Sequence, residues 1–201
     1  MLRKFIEGVV TDAKKLVSEK VGGLIFHFKA GEFFQIKPFV PPLLVEHVVQ
    51  QSKTDEISLL VDAYCGGGLF GLSAASRFKK IVGIEISREG FEGARTNARI
   101  NQIDNAQFFL GDASSIFDEL KGISEPAALV IDPPRRGCDP DFLRQAIEFG
   151  PKRIVYVSCE PATQARDSQI LLEAGYQAIL AQPFDLFPQT RHVENVLTLV
   201  R

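Results

Sequence analysis

The rhythm of apolar positions along this chain changes near residue 57. Downstream, short continuous apolar runs recur at 57–61, 81–84, 107–110, 127–131, 154–157, 176–180 and 196–200. Most are separated by amphipathic stretches, at 69–79, 88–101, 140–149 and 163–174, whose apolar residues fall at helical spacing. Continuous apolar strands alternating with amphipathic helices predict an α/β fold, with a mostly parallel sheet covered by helices on both faces. Only a loop separates the last two runs, which predicts an antiparallel pair at the sheet edge. Upstream the pattern differs. Residues 1–20 set Phe5, Val9, Val10, Leu16 and Val17 among lysines and acids, which reads as an amphipathic helix broken by Gly22-Gly23. Leu24–Phe28 reads as a strand, and Pro38, Pro41 and Pro42 precede a helix expected over 43–52. The chain thus divides into an N-terminal helical and strand extension, 1–52, packing on a main α/β domain, 53–201.

Composition narrows the function classes. At 201 residues, 45% hydrophobic and 24% charged, the chain suits one soluble domain with a core of its own. No apolar run approaches the roughly 18 residues of a membrane span, and Met1-Leu2-Arg3-Lys4 does not lead into the apolar stretch of a signal peptide. A net charge of -2 and a pI near 6.0 exclude a protein that coats nucleic acid by charge alone, so any RNA contact is local. Cys65, Cys138 and Cys159 form no CxxC pair, and His27, His47 and His192 are scattered. That usage points to a reducing cytoplasm and to no metal site.

In open parallel sheets, ligands bind outside the carboxyl ends of the strands, so the residues after each apolar run carry the candidate chemistry. The first run leads into Asp62-Ala63-Tyr64-Cys65-Gly66-Gly67-Gly68-Leu69-Phe70-Gly71, a literal GxGxxG. Such a loop either cradles a ligand or makes a tight turn. Glu85 closes the second run, 23 residues after Asp62, where it can accept from two ribose hydroxyls or charge the start of the next helix. Asp112 follows the third run and can accept from an adenine amino group or cap a helix. Asp132-Pro133-Pro134-Arg135 stiffens the exit from the fourth, and Ser158-Cys159-Glu160-Pro161 leaves the fifth. Cys159 there is a nucleophile or a small buried hydrophobe. Together these ends describe a nucleoside cofactor lying across the sheet. A nicotinamide dinucleotide satisfies the glycine loop alone; S-adenosylmethionine also accounts for Asp-Pro-Pro and the strand-end cysteine.

These strings resemble the RNA uracil-5-methyltransferase family. The resemblance rests on 62–70, Gly83-Ile84-Glu85, Asp132-Pro-Pro-Arg135, Tyr156–Asp167, Phe187–Glu194 and Phe33-Phe34-Gln35, and so runs from about residue 24 to the end. It implies a Rossmann-like class I S-adenosylmethionine-dependent methyltransferase over 53–201, acting on C5 of uridine in RNA, with tRNA favoured over rRNA. The tRNA-directed eukaryotic-type branch is the nearer match. By the same resemblance Gln35, Tyr64, Glu85, Asp112 and Asp132 bind S-adenosylmethionine, Cys159 is the nucleophile that adds to C6, and Glu194 is the base. His192 is the runner-up base. Arg135 and Phe187 lie near the uracil, Tyr64 and Arg136 can help hold the base, and Arg166 and Arg191 are candidates for phosphates.

Several positions depart from the family pattern. Lys37 stands for an asparagine, Gln189 and Arg191 vary the approach to Glu194, and Glu160 sets a carboxylate beside the nucleophile, which is expected to raise the thiol pKa. Only about 23 residues precede the first resembling strand, so the family's usual N-terminal RNA-binding barrel is expected to be absent. The competing classes are an amino-methyltransferase using Asp-Pro-Pro, which leaves Cys159 and Glu194 idle, a nicotinamide oxidoreductase, and a non-catalytic cofactor- or RNA-binding remnant.

Overall fold

The structure, a computed structural model, describes residues 3–5, 8–10, 12, 14–29, 40–123, 125–186, 189–190 and 193–201. Its centre is a seven-stranded sheet built from β5 (Leu59–Ala63), β6 (Lys80–Glu85), β7 (Ala106–Leu110), β8 (Ala127–Ile131), β9 (Arg153–Ser158), β10 (Gln177–Phe184) and β11 (Glu194–Val200). The strand order is β10-β11-β9-β8-β5-β6-β7. The five strands from β5 to β9 are parallel. β11 is antiparallel to both of its neighbours, so the antiparallel strand sits one place in from the edge.

The strands are apolar throughout because both of their faces are covered. Leu60, Ile81, Ala128, Val130, Val155 and Val157 pack into a cluster with α1 (Val40–Ser52) and α2 (Leu69–Ala74). Their neighbours Leu59, Val61, Val82, Leu129, Ile131 and Ile154 face a second cluster with α4 (Ile116–Glu119), α5 (Pro140–Phe149) and α6 (Pro161–Glu173). Alternate residues thus enter opposite cores, as a two-period strand requires. α3 (Arg88–Ile100) covers β6 and β7.

The expected helix over 1–20 is not found. Its described residues form β1 (Arg3–Phe5) and β2 (Gly8–Val10), paired antiparallel, and β3 (Leu16–Val21), paired with β4 (Leu24–Lys29). Gly22 and Gly23, at φ +56° and +92°, make a two-residue hairpin turn rather than a helix stop. Val17 and Val21 are buried while Leu16, Ser18 and Lys20 are exposed, so the period is 2 and the apolar matches to a helical face are accidental.

The hairpin and α1 join the main core: Val21, Phe26, Leu44, Val45, Val48 and Val49 pack in the same cluster as α2. The hairpin is also fastened to α3 by two asparagines four residues apart. Asn97 accepts from His27 N at 2.7 Å and donates to His27 O at 3.2 Å; Asn101 does the same for Ile25, at 2.9 and 2.7 Å. Each amide side chain thereby stands in for a neighbouring strand.

A site at the strand ends

The chain runs from β5 outward to β6 and β7, then returns to lay β8 on the other flank of β5. The order reverses between β5 and β8, and open parallel sheets bind their ligands beyond the carboxyl ends of the strands at such a point. The glycine loop leaves β5 there, and Asp132-Pro133-Pro134 leaves β8.

Asp62 is fully buried one residue before the end of β5. Its Oδ2 accepts from Gly71 N at 2.8 Å in the first turn of α2, and its Oδ1 is buried without a partner. Burial pushes its carboxyl from 3.8 up to about 7, against the Gly71 hydrogen bond and with help from the charge of Glu85. Glu85 ends β6 and reaches back to the loop: Oε2 accepts from Gly66 N at 2.8 Å, and Oε1 from Ser87 N at 2.7 Å. Asn97 Nδ2 ties the loop to the hairpin through Gly67 O at 3.0 Å. Tyr64, the first residue after β5, takes a positive φ of 64° and packs edge-on against Phe142.

Asp112 caps the short turn that follows β7, accepting from Ser114 N at 3.0 Å and Ser114 Oγ at 2.7 Å. Those bonds hold its carboxyl below the usual range. The cap and a ligand role are compatible, since a carboxylate has about four acceptor positions.

The candidate nucleophile and base lie toward the other edge of the sheet. Cys159 is the residue after β9, and Glu194 opens β11, whose register sets Asn195 opposite Ser158. Burial pushes the Cys159 thiol up; the charges of Glu194 and Asp132 add to this, and a hydrogen bond from the Arg135 side chain pulls it back. The carboxylates raising it are therefore Glu194 and Asp132, and not the adjacent Glu160, which forms the N-cap of α6. Asp132 itself is held well above the carboxylate range, first by burial, then by Glu194 and Asp62.

Asp62, Glu85, Asp132 and Glu194 thus form a row of mutually repelling acids along the strand ends. A pyrophosphate would add to that repulsion, whereas the sulfonium and ammonium of S-adenosylmethionine would relieve it. The unpartnered Asp62 Oδ1 and the loop held by Glu85 fit that cofactor in the same way.

The structure places Tyr64, Glu85, Asp132 and Cys159 at the carboxyl ends of β5, β6, β8 and β9, Arg135 on the turn after β8 and Glu194 at the start of β11, and leaves Asp112 exposed after β7. Gln35 and Phe187 lie outside the described residues, as do Phe33, Phe34, Lys37, Arg191 and His192. Arg166 is engaged within the protein: its Nε and Nη2 reach Asp167 Oδ1 at 2.9 and 2.7 Å. Sequence reasoning missed Asn97 and Asp167, both buried polar residues. Asn97 was signalled only by a polar residue amid the apolar positions of a helix, and Asp167 also by closing the Tyr156–Asp167 string. Among the described residues no helix is long and apolar enough to cross a membrane, and no His, Cys, Asp or Glu side chains group as metal ligands would.

The model of the tRNA (Uracil-5-)-methyltransferase family matches residues 13–201. A tRNA (uracil(54)-C(5))-methyltransferase of Schizosaccharomyces pombe is 42% identical over 204 residues, covering 96% of this chain and 39% of that protein. An Oceanobacillus iheyensis protein described as an uncharacterized RNA methyltransferase is also 42% identical, over 91% of this chain and 40% of its own length. Equal likeness to a fungal and a bacterial protein does not set this chain in the eukaryotic-type branch. Among solved structures, the Pyrococcus abyssi tRNA (uracil-54, C5)-methyltransferase in complex with S-adenosyl-L-homocysteine superimposes with a TM-score of 0.80 at 29% identity. That match covers 96% of this chain and 46% of the other. The chain spans about two fifths of the length of these two curated relatives. Motifs, fold and strand-end geometry agree: the chain belongs to the tRNA (uracil-5-)-methyltransferase family.

Proposed function

We propose that this chain transfers the methyl group of S-adenosylmethionine to C5 of a uridine in RNA. tRNA is the favoured substrate, and the uracil-54 named for its relatives is the first position to test. The observation that carries this reading is the convergence on one sulfur. Cys159 follows β9, with Asp132 at the end of β8 on one side and Glu194 at the start of β11 on the other.

Glu85 is suited to accept from the ribose hydroxyls and Asp112 from the adenine amino group; Tyr64, Asp132 and Gln35 are the further cofactor residues that the family resemblance implies. When bound, the cofactor supplies a methyl carbon made electrophilic by its sulfonium. The Cys159 thiolate adds to C6 of the uracil, and the C5–C6 π pair moves toward the O4 carbonyl, which makes C5 nucleophilic. Arg135 stands where negative charge passes from sulfur to ring and offsets it there. Once C5 carries the methyl group, Glu194 removes the C5 proton. That electron pair re-forms the C5–C6 double bond and expels the Cys159 sulfur. Glu194 is 1% exposed, so it works in a site from which water is largely excluded. The target base must leave its stack to reach this depth, and Phe187 and Arg136 are available to hold it.

Incubation with S-adenosylmethionine and RNA containing 5-fluorouridine tests the mechanism, because fluorine at C5 cannot leave as a proton. A covalent protein–RNA adduct that is lost in Cys159→Ala is expected. Methyl transfer to ordinary RNA with no adduct on the fluorinated RNA would overturn the thiol mechanism and point to the amino-methyltransferase class.

A further inference from the structure

The edge of β4 that faces away from β3 runs along α3, and its contacts fall at every second strand residue. Asn101 holds both backbone groups of Ile25, Asn97 holds both of His27, and the Lys29 ammonium pairs with the Glu89 carboxylate. Between 97 and 89 the same face of α3 carries only Gly93 and Gly90, and the glycine loop lies against them. A Cβ on Gly93 would come 3.8 Å from Gly67 Cα, and one on Gly90 would meet Gly66 C at 3.4 Å and Glu85 Cγ at 2.9 Å. α3 thus carries the loop and the hairpin side by side.

Asn97 is bonded to both. Its Oδ1 accepts from His27 N at 2.7 Å, and its Nδ2 donates to His27 O at 3.2 Å and to Gly67 O at 3.0 Å. An amide nitrogen has two hydrogens, one for each carbonyl, so the planar group cannot follow one partner without leaving the other. Asn97 is fully buried, where no water replaces a broken bond. The loop is equally constrained: Gly66 and Gly68 take φ +51° and +83°, and Glu85 Oε2 holds Gly66 N at 2.8 Å. Asn101 grips the hairpin in the same way, but its second donor contact is to Asn97 O, within α3.

We propose that Asn97 is a positioning residue that couples the β3–β4 hairpin to the cofactor loop, so that hairpin docking and S-adenosylmethionine binding strengthen each other. The inference rests on the reading that the glycine loop receives the cofactor. A bound cofactor holds the 66–68 backbone in one shape, which presents Gly67 O to Asn97. Asn97 held in that way presents its Oδ1 and its other hydrogen to His27. Such coupling is reciprocal: the factor by which the cofactor favours the docked hairpin is the factor by which the docked hairpin favours the cofactor. The hairpin, although outside the seven-stranded sheet, then serves the cofactor site from behind the loop.

Hydrogen exchange of the full chain, with and without saturating S-adenosyl-L-homocysteine, tests this without methyl transfer. The amides of Ile25 and His27 should exchange about 10-fold more slowly with the ligand, while those of the edge strand β10 should not change. Asn97→Ala should bind the ligand about 10-fold more weakly by calorimetry. In that variant the ligand should no longer slow Ile25, whose amide Asn101 holds. Asn101→Ala controls for a merely structural loss: it should loosen the hairpin yet keep the affinity within about 2-fold and the slowing at His27. A ligand that binds the wild type and leaves Ile25 and His27 unchanged overturns the coupling, and this comparison needs no variant to fold. An Asn97→Ala protein of wild-type affinity, or one in which Ile25 is still slowed, also overturns it. A chain that binds no S-adenosyl-L-homocysteine sinks the proposed function together with this inference. Slowed exchange in a chain that forms no fluorouridine adduct sinks the thiol mechanism alone.

Discussion

Glu85 holds the glycine loop from the next strand: its Oε2 accepts from Gly66 N at 2.8 Å while its Oε1 accepts from Ser87 N at 2.7 Å. One carboxylate thereby joins the exit of β5 to the entry of α3. Both oxygens keep a further acceptor position.

Glu85 therefore combines a structural and a binding role, which can be separated. Glu85→Gln keeps one acceptor oxygen and should lose about 1 kcal/mol of stability, the net worth of one hydrogen bond. If Glu85 also receives the ribose hydroxyls, affinity for S-adenosyl-L-homocysteine should fall by about 10-fold or more, since hydrogen bonds to a charged acceptor are worth about 1.5–3 kcal/mol. Calorimetric titration alongside urea unfolding measures the two losses independently. An affinity unchanged within error would leave Glu85 a structural residue alone.

The buried Asp62 makes stability depend on pH with a sign opposite to that of a salt-bridged acid. Its folded value, about 7, lies above the ordinary 3.8, so the folded state binds more protons than the unfolded state between those values. Stability is fully present below about 4, declines as pH rises, and levels off above about 7, by about 4 kcal/mol at most. Urea unfolding from pH 4 to pH 8 should show this fall, and Asp62→Asn should make it smaller, with the buried Asp132 accounting for a remainder of the same sign. A wild-type stability that rises through this window would contradict the assignment.

Asn97 is a fully buried amide holding both His27 backbone groups and Gly67 O. Asn97→Ala orphans three backbone groups and opens a small cavity, and should cost about 3 kcal/mol. Asn101→Ala, at the exposed end of the same clamp, should cost about 1 kcal/mol. Hydrogen exchange is the direct check: the amides of Ile25 and His27 should lose protection well before those of β5 and β8. Uniform loss across the sheet would mean the hairpin does not open by itself.

Removing the proposed base should divide the reaction into two halves. Glu194→Gln retains the shape of the side chain and cannot take the C5 proton, so adduct formation should persist while turnover falls by roughly 10²- to 10⁴-fold. Quenched-flow trapping of protein-bound RNA against product formation distinguishes the halves. Turnover near the wild-type rate removes Glu194 as the base.

Much of this fold was legible because its signals are local. Helix α5 spans Pro140–Phe149, as its apolar spacing predicts, with Asp139 accepting from Asp141 N at 2.8 Å as its cap and proline in its first turn. The parallel strands announce themselves by continuous apolar runs because both faces are buried. Residues 1–20 misled because a half-exposed hairpin buries few side chains: with Val17 and Val21 as the inward residues of β3, the spacing of four fits a helix as well as a strand.

Order along the chain settled which residues stand at the strand ends, since a parallel sheet presents all its carboxyl termini on one edge. Tyr64, Glu85, Asp132 and Cys159 were found in that way from the sequence alone. How their charges add was decided only by the tertiary structure. The acids come from β5, β6, β8 and β11, and their repulsion depends on a strand order that no periodicity encodes. The clamps are of the same kind. Asn97 meets His27 across 70 residues and Asp167 meets Cys138 across 29. A hydrogen bond has force only over about 3 Å, so pairs so distant in sequence leave no local trace until the chain has folded.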